Sequence, residues 1–155
     1  MSKQEQYELV SEQLRAVLEG ETNVTARMAT VACLLSEAFG ETYFWTGFYV
    51  VDPEKDDELV VGPYQGTLGC LRIPFGKGVC GAAAAMGETQ VVEDVHAFPG
   101  HIACDSRSNS EIVVPVRDKT GKLIAVLDVD STKYGSFDDV DKQHLESLMA
   151  DLFAA

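Results

Sequence analysis

The chain has 155 residues, a length that fits one domain, with 46% hydrophobic and 24% charged residues, which is ordinary globular composition and excludes a disordered chain. The 25 Asp and Glu outnumber the 12 Lys and Arg, so a net charge of −13 repels phosphate backbones and anionic lipid, and we expect no nucleic-acid or membrane partner. The sequence has neither the apolar run of a membrane span, about 18 to 20 residues, nor the apolar N-terminal stretch of a signal peptide, so we expect a cytoplasmic protein.

The first 40 residues predict two helices, because apolar residues recur at helical spacing before Gly20 and again before Gly40. Each apolar stripe needs a partner surface to cover it. The first stripe consists of Tyr7, Val10, Leu14 and Val17, and the second of Val24, Met28, Val31 and Leu35.

The next segments predict an antiparallel sheet. Aromatic and β-branched residues at 43–51, a polar turn at 52–57 and a second apolar run at 58–65 form a hairpin. Further along, the pattern predicts a short strand at 68–73, an Ala-rich helix at 78–86, strands at 110–116 and 123–130, and a helix at about 137–152.

This order of elements predicts an α+β fold in which helices cover one face of a single sheet. We expect one domain over 1–155, with a helical segment at 1–40, the sheet and a candidate active-site loop at 41–135, and the C-terminal helix at 136–155. Ser136 and Asp139 have the spacing of a capping box at the start of that helix.

Residues 93–109 show no helical or strand periodicity, and long segments of this kind are more often functional than idle. They contain Cys104 close to His101 and Arg107. Because a thiol reacts as the thiolate, which nearby positive charge favours, Cys104 is the best candidate for a reactive cysteine.

The other three cysteines have different surroundings. Cys70 on the short strand and Cys80 at the start of the Ala-rich helix could each reach Cys104. The partial positive charge at the helix start would help to ionise the sulfur of Cys80, although Cys80 could equally be a small apolar side chain packed beside Gly81 and Ala82. Cys33 lies opposite its apolar stripe, and we expect it to be structural. A zinc site built from Cys70, Cys80, Cys104 and His101 is a competing hypothesis, but His101-x-x-Cys104 is the only paired arm present, so we expect no metal.

Two acids end an otherwise apolar strand face. Asp128 and Asp130 follow Ile124 and Val126 at the period of two that places strand residues on one face. Neighbouring carboxylates raise each other's pKa or require a cation, for which a substrate ammonium would serve, unless both simply face solvent. Glu111 opens the neighbouring strand and could add a third carboxylate that acts as a general acid.

Two further patterns have more than one interpretation. Trp45 and Tyr49 share a strand face, either as core residues or as the wall of a pocket. The segment 76–81 matches the glycine spacing of a dinucleotide-binding loop, but such a loop needs a βαβ unit, and this chain is organised in hairpins. We therefore interpret it as a turn into a short helix and expect no nucleotide cofactor.

Taken together, these motifs resemble the free methionine-(R)-sulfoxide reductases, a family of stand-alone GAF-fold enzymes. The resemblance spans nearly the whole chain and is carried by the segments 44–49 (FWTGFY), 62–66 (GPYQG), 76–81 (GKGVCG), 95–106, 110–115 (SEIVVP) and 127–131 (LDVDS). It implies a GAF fold, with an antiparallel sheet of about six strands flanked by N- and C-terminal helices, and a homodimer.

The resemblance also implies roles for individual residues. Cys104 falls at the family's catalytic cysteine, Cys70 at its main resolving cysteine and Cys80 at an auxiliary one. The substrate-binding positions correspond to Trp45, Tyr49, Glu111, Asp128 and Asp130.

The implied reaction needs no metal, flavin or nucleotide. Cys104 attacks the sulfoxide sulfur of free methionine sulfoxide while Glu111 supplies a proton, and Cys70 then closes a disulfide that a thioredoxin-like dithiol reduces. The alternative is a GAF module that binds a small ligand or senses redox state without turnover. A sensor usually works with an output domain, for which 155 residues leave little room.

Overall fold

The computed structural model describes residues 1–155 as one antiparallel sheet with helices on both faces. The helices are α1 (Lys3–Val17), α2 (Val24–Ala38), α3 (Gly78–Met86) and α4 (Asp139–Met149). The strands are β1 (Trp45–Asp52), β2 (Lys55–Gln65), β3 (Arg72–Pro74), β4 (Gln90–Val92), β5 (Ser110–Arg117) and β6 (Leu123–Ser131). The six strands lie in the order β3-β2-β1-β6-β5-β4, so the predicted α+β class and the terminal helices are confirmed.

Both faces of the sheet are apolar and therefore both need cover. Side chains such as Phe48 and Leu127 pack against α1, α2 and α4 in one core. Trp45, Tyr49 and Val126 point to the opposite face, where α3 covers them in a second core. The expectation that all helices lie on one face is wrong for α3, because the central strands present apolar residues on both sides.

Several helix positions differ from the predictions. Val17 and Val24 are 57% and 46% exposed, because they lie at helix ends, and Leu18 fills the core position next to Val17 instead. The N-cap of α4 is Asp138, which forms a capping box with Asp141. The proposed box starting at Ser136 is wrong. None of the helices combines the length and the apolar character that crossing a membrane requires.

The sheet edges also differ from the predictions. The third strand covers only Arg72–Pro74, and Leu68 and Leu71 lie before it in an exposed loop. The strand Gln90–Val92 was not predicted, because three residues are too few to show a period of two. The long segment at 93–109 contains a single 3-10 turn at Val95–Ala97.

A bulge in the pairing of β5 with β6 determines which residues of β6 face α3. Val116 pairs with Ala125 but Arg117 pairs with Leu123, so Ile124 is an extra residue in the ladder. Ile124 consequently packs on the side of α1, α2 and α4. The prediction that it shares a face with Asp128 is wrong, whereas Val126 lies on the α3 side.

Candidate active site

The α3 face of the sheet holds a pocket of about 40 Å³ at the end where β1 begins and β6 ends. The first turn of α3 and the loop before β5 complete its walls. All the predicted site residues except Cys70 line this pocket, namely Trp45, Tyr49, Cys80, Cys104, Glu111, Asp128 and Asp130. The fold therefore brings residues from five separate segments of the chain to one place.

Three carboxyl groups meet in the pocket because β5 and β6 are neighbours. Glu111 pairs directly with Asp130 across the ladder, and Asp128 lies two residues along β6 on the same face. Glu111 and Asp128 are only 6% and 4% exposed, and Asp130 is half-buried. The alternative in which the acids of β6 both face solvent is wrong.

The electrostatics of these acids disfavour the charged form. Burial raises the pKa of Glu111 and Asp128 well above the usual carboxyl range, and neighbouring carboxylates raise both pKa values further. The pKa of Asp130 rises for the same reasons, burial first and the charge of Glu111 second. One oxygen of Asp128, Oδ1, is buried without a hydrogen-bond partner. The group therefore favours protons or an added cation.

Cys80 lies beside the acids in the first turn of α3. It is a free thiol, 4% exposed, and its Sγ donates to Glu111 Oε2 at 3.8 Å. Burial and the nearby carboxylates raise the pKa of this thiol. This increase outweighs the lowering of the pKa that a helix N-terminus favours. The expectation that the helix start ionises Cys80 is wrong.

Cys70 and Cys104 form a disulfide, with a distance of 5.3 Å between their Cα atoms and 34 residues between them in sequence. This pairing answers the question, which spacing left open, of whether Cys70 or Cys80 reaches Cys104. Cys104 is exposed and Cys70 is half-buried. In this state neither sulfur is available as a ligand, so the proposed zinc set of these cysteines with His101 is not assembled.

Arg107, the positively charged residue near Cys104 in sequence, is paired with an acid of the same loop. Arg107 Nη2 binds Asp105 Oδ2 at 2.8 Å, and its guanidinium lies 4.9 Å from the ring centroid of Phe44. Hydrogen bonds to Arg107 lower the pKa of Asp105, which also accepts from Thr67 Oγ1 at 2.8 Å. Asp105 therefore joins the Cys104 loop to the loop that carries Cys70, and Arg107 binds the same carboxylate from within the Cys104 loop.

The surroundings of His101 disfavour its charged form. It lines the pocket, and burial lowers its pKa, with a smaller contribution from His96. Its Nδ1 is buried without a partner. In this disulfide form Arg107 is paired with Asp105 and burial disfavours the charged form of His101, so activation of the free Cys104 thiol by these two groups stays a prediction.

Stacked aromatic rings form one wall of the pocket. Trp45 stacks on Tyr49 at 5.5 Å and on Tyr64 at 4.9 Å between ring centroids, and its Nε1 donates to the carbonyl of Thr67 at 2.8 Å. Gly69 touches this wall, since a Cβ there would lie 2.9 Å from Trp45 Cζ2. Only glycine lets the Cys70 loop approach the rings so closely.

The sequence patterns did not identify two further lining residues. Lys77 is the exposed N-cap of α3 and the only Lys or Arg that lines the pocket. Its position just before a helix start is the sequence signal that could have identified it. Ser108, which is 8% exposed, lines the pocket from the loop before β5.

Comparison with known proteins agrees with this geometry. The sequence matches the GAF domain family over residues 21–155. It is 47% identical over 152 residues to the free methionine-R-sulfoxide reductase of Escherichia coli, covering 98% of this chain and 89% of the relative. The corresponding enzyme of Saccharomyces cerevisiae is 40% identical, with 96% of this chain and 84% of the relative covered.

A solved structure shows the same architecture. The free methionine-R-sulfoxide reductase of Neisseria meningitidis, in complex with its substrate, superposes with a TM-score of 0.92 at 49% identity, covering 98% of this chain and 89% of that one. Both identity and coverage are far above what fold similarity alone produces. The chain therefore belongs to the free methionine-R-sulfoxide reductases, oxidoreductases of the GAF domain family.

Proposed function

We propose that this protein reduces free methionine-(R)-sulfoxide to methionine through Cys104. The observation that supports this most directly is the Cys70–Cys104 disulfide at a pocket that also holds carboxyl groups and an aromatic wall. The Cys104 thiolate attacks the sulfoxide sulfur, the oxygen passes to Cys104 as a sulfenic acid, and methionine leaves. Cys70 then condenses with the sulfenic acid, releasing water and forming the disulfide.

Glu111 is the proposed proton donor in this step. Its raised pKa keeps a proton available at neutral pH, which an ordinary glutamate would have lost. Protonation of the sulfoxide oxygen makes the sulfur more electrophilic. It also lets the oxygen leave the substrate sulfur without a negative charge. Trp45 and Tyr49 would hold the methylsulfinyl group against the aromatic wall.

The carboxylates of Asp128 and Asp130 are proposed to hold the substrate's ammonium group. The ammonium would supply the missing partner of the buried Asp128 Oδ1. A methionine residue inside a protein has a neutral amide at this position, so the arrangement favours the free amino acid. Lys77 at the pocket mouth is the cation available to the substrate's carboxylate.

Recycling requires an external dithiol, because the disulfide must be reduced after each turnover. We propose a thioredoxin-like reductant that reaches the exposed Cys104 side of the disulfide, while Cys80 acts as an auxiliary thiol. We propose that the protein works in the cytoplasm, where thiols are kept reduced. We further propose that 1–155 acts as one domain and that two chains form a homodimer.

A coupled assay tests the proposed reaction. Purified protein with free methionine-(R)-sulfoxide and a thioredoxin system should oxidise NADPH well above the blank. Cys104→Ser should abolish turnover, and Cys33→Ser, which changes a cysteine outside the pocket, should leave it nearly intact. A rate equal to the blank would reject the enzyme and leave a ligand-binding or redox-sensing module.

The role of Lys77 has its own test. Lys77→Met removes the cation proposed to bind the substrate carboxylate and should raise KM about tenfold, since a charged hydrogen bond contributes roughly 1.5 kcal/mol. Lys119→Met, at an exposed turn, is the matched control and should leave KM unchanged. An unchanged KM for Lys77→Met would assign the carboxylate to the backbone N–H groups of α3 instead.

A further inference from the structure

Cys80, Glu111 and Asp128 form a group of potential metal ligands inside the pocket. One ligand atom from each lies within 4.8 Å of the other two, and all three residues are buried. Ligand atoms on one tetrahedral zinc ion lie about 3.5 Å apart, so the group could close on an ion with movements of about 1 Å. The three residues differ from the cysteine and histidine set considered from the sequence.

The surroundings of this group lack a balancing positive charge. Asp128 is 4% exposed, and its Oδ1 has no hydrogen-bond partner. No Lys or Arg forms an ion pair with Glu111, Asp128 or Asp130. A buried carboxylate oxygen without a donor is costly, so this oxygen points to a cation that binds beside it.

The thiol distinguishes a metal ion from an ammonium ion. An ammonium group requires oxygen acceptors and gains little from sulfur, whereas zinc and cobalt combine thiolate with carboxylate ligands. We propose that Cys80, Glu111 and Asp128 bind a thiophilic divalent cation, Zn²⁺ being the best match, at the position of the substrate's amino group. The ion would then inhibit competitively, a consequence that rests on the proposed function, whereas metal binding itself does not.

Cobalt binding to the disulfide form of the protein tests the site without relying on activity. With Cys70 and Cys104 joined, only Cys33 and Cys80 carry free thiols. Cys33 lies 3.9 Å from Glu37, so Cys33→Ser serves as the background that removes this second sulfur and carboxylate pair. We expect one Co²⁺ per chain with a sulfur-to-cobalt charge-transfer band, which one equivalent of Zn²⁺ removes.

Two double variants decide the ligand set. Cys33→Ser with Cys80→Ser should lose the band, while Cys33→Ser with Asp128→Asn should keep a band but bind Co²⁺ at least about tenfold more weakly. A band that persists without Cys80, or no band in Cys33→Ser alone, would overturn the proposal. Circular dichroism verifies folding, and the Asp128 variant decides the question if the Cys80 variant does not fold.

Inhibition separates this proposal from the proposed function. Free methionine-(R)-sulfoxide should weaken Co²⁺ binding, and Zn²⁺ should raise the KM of the reductase without lowering kcat at saturating substrate. If Co²⁺ binds through Cys80 but substrate and metal do not compete, the metal site stands and the placement of the substrate's ammonium group at Asp128 is wrong.

Discussion

Asp128 shows a conflict between stability and function at a single residue. The side chain is 4% exposed, and one of its oxygens lacks a hydrogen bond in the free protein. Its folded-state pKa is raised above the ordinary value of 3.8, chiefly by burial. Such a group stabilises the fold fully below the ordinary carboxyl pKa, and this contribution is lost as the pH rises through the raised pKa.

Asp128→Asn should therefore stabilise the fold while weakening substrate binding. At pH 8 we expect a free energy of unfolding about 1 to 2 kcal/mol above the wild type, with a smaller difference at pH 5, because the amide carries no charge. The KM for free methionine-(R)-sulfoxide should rise because an ammonium contact is lost. Urea denaturation at both pH values, with the exposed Asp56→Asn as control, measures the effect. The same difference in unfolding free energy between Asp128→Asn and the wild type at both pH values would mean that Asp128 stays ionised and that its charge is compensated.

The identity of the site residues could be predicted better than their interactions. Acids that end an apolar strand face and a cysteine in a polar loop made Asp128, Glu111 and Cys104 candidates, and the family resemblance turned these candidates into a predicted site. The partner of Arg107 could not be predicted in the same way. Its pairing with Asp105 depends on a loop conformation that no periodic pattern describes, and in that pairing the guanidinium charge is balanced by a carboxylate.

Among the elements, long periodic segments were predictable and short ones were not. The strands at 110–116 and 123–130 lie within one residue of β5 and β6, because both are continuous apolar runs. The extra residue Ile124 leaves no trace in the sequence, since a bulge changes pairing and not composition. Strand β4 could not be predicted either, because its three residues depend on pairing with β5 for their conformation.

The link between α1 and α4 is a buried polar network on the face opposite the pocket. Asp141, 2% exposed, accepts from the Tyr7 hydroxyl at 2.5 Å and from Lys3 Nζ at 2.7 Å. The Tyr7 hydroxyl also contacts that of Tyr43. One carboxylate on α4 therefore satisfies two groups of α1, in addition to accepting from the backbone N–H of Asp138, the N-cap of α4.

Asp141→Ala should destabilise the fold by about 2 to 3 kcal/mol, because it leaves buried hydroxyl groups without an acceptor and removes a capping interaction. The exposed pair Arg15–Asp151 provides a matched control, and Asp151→Ala should cost about 0.5 kcal/mol or less. Urea denaturation measures both variants. The KM of Asp141→Ala should equal that of the wild type, and a raised KM would show that the helix layer influences the pocket.

On the scale of the whole molecule, the disulfide joins two loops that a side-chain hydrogen bond also connects. The Cys70 loop carries the exposed Leu68 and Leu71, and the Cys104 loop is attached to it through Thr67 and Asp105. Opening the disulfide frees Cys104 for the substrate but removes a covalent cross-link over 34 residues. The form that reacts with substrate is thus the less constrained one.

The oxidised protein should consequently be more stable than the reduced protein by about 3 to 4 kcal/mol, the loop entropy that a cross-link of this length removes from the unfolded chain. Urea denaturation of Cys33→Ser, with and without a reductant, measures the difference while excluding disulfides to Cys33. Cys70→Ser in the same background should have the same urea midpoint with and without the reductant, because its Cys104 has lost its partner. Equal midpoints for the oxidised and reduced protein would show that disulfide closure strains the folded chain by as much as it restricts the unfolded one. In that case opening the disulfide would release the strain, and the two loops would hold different arrangements in the two redox states.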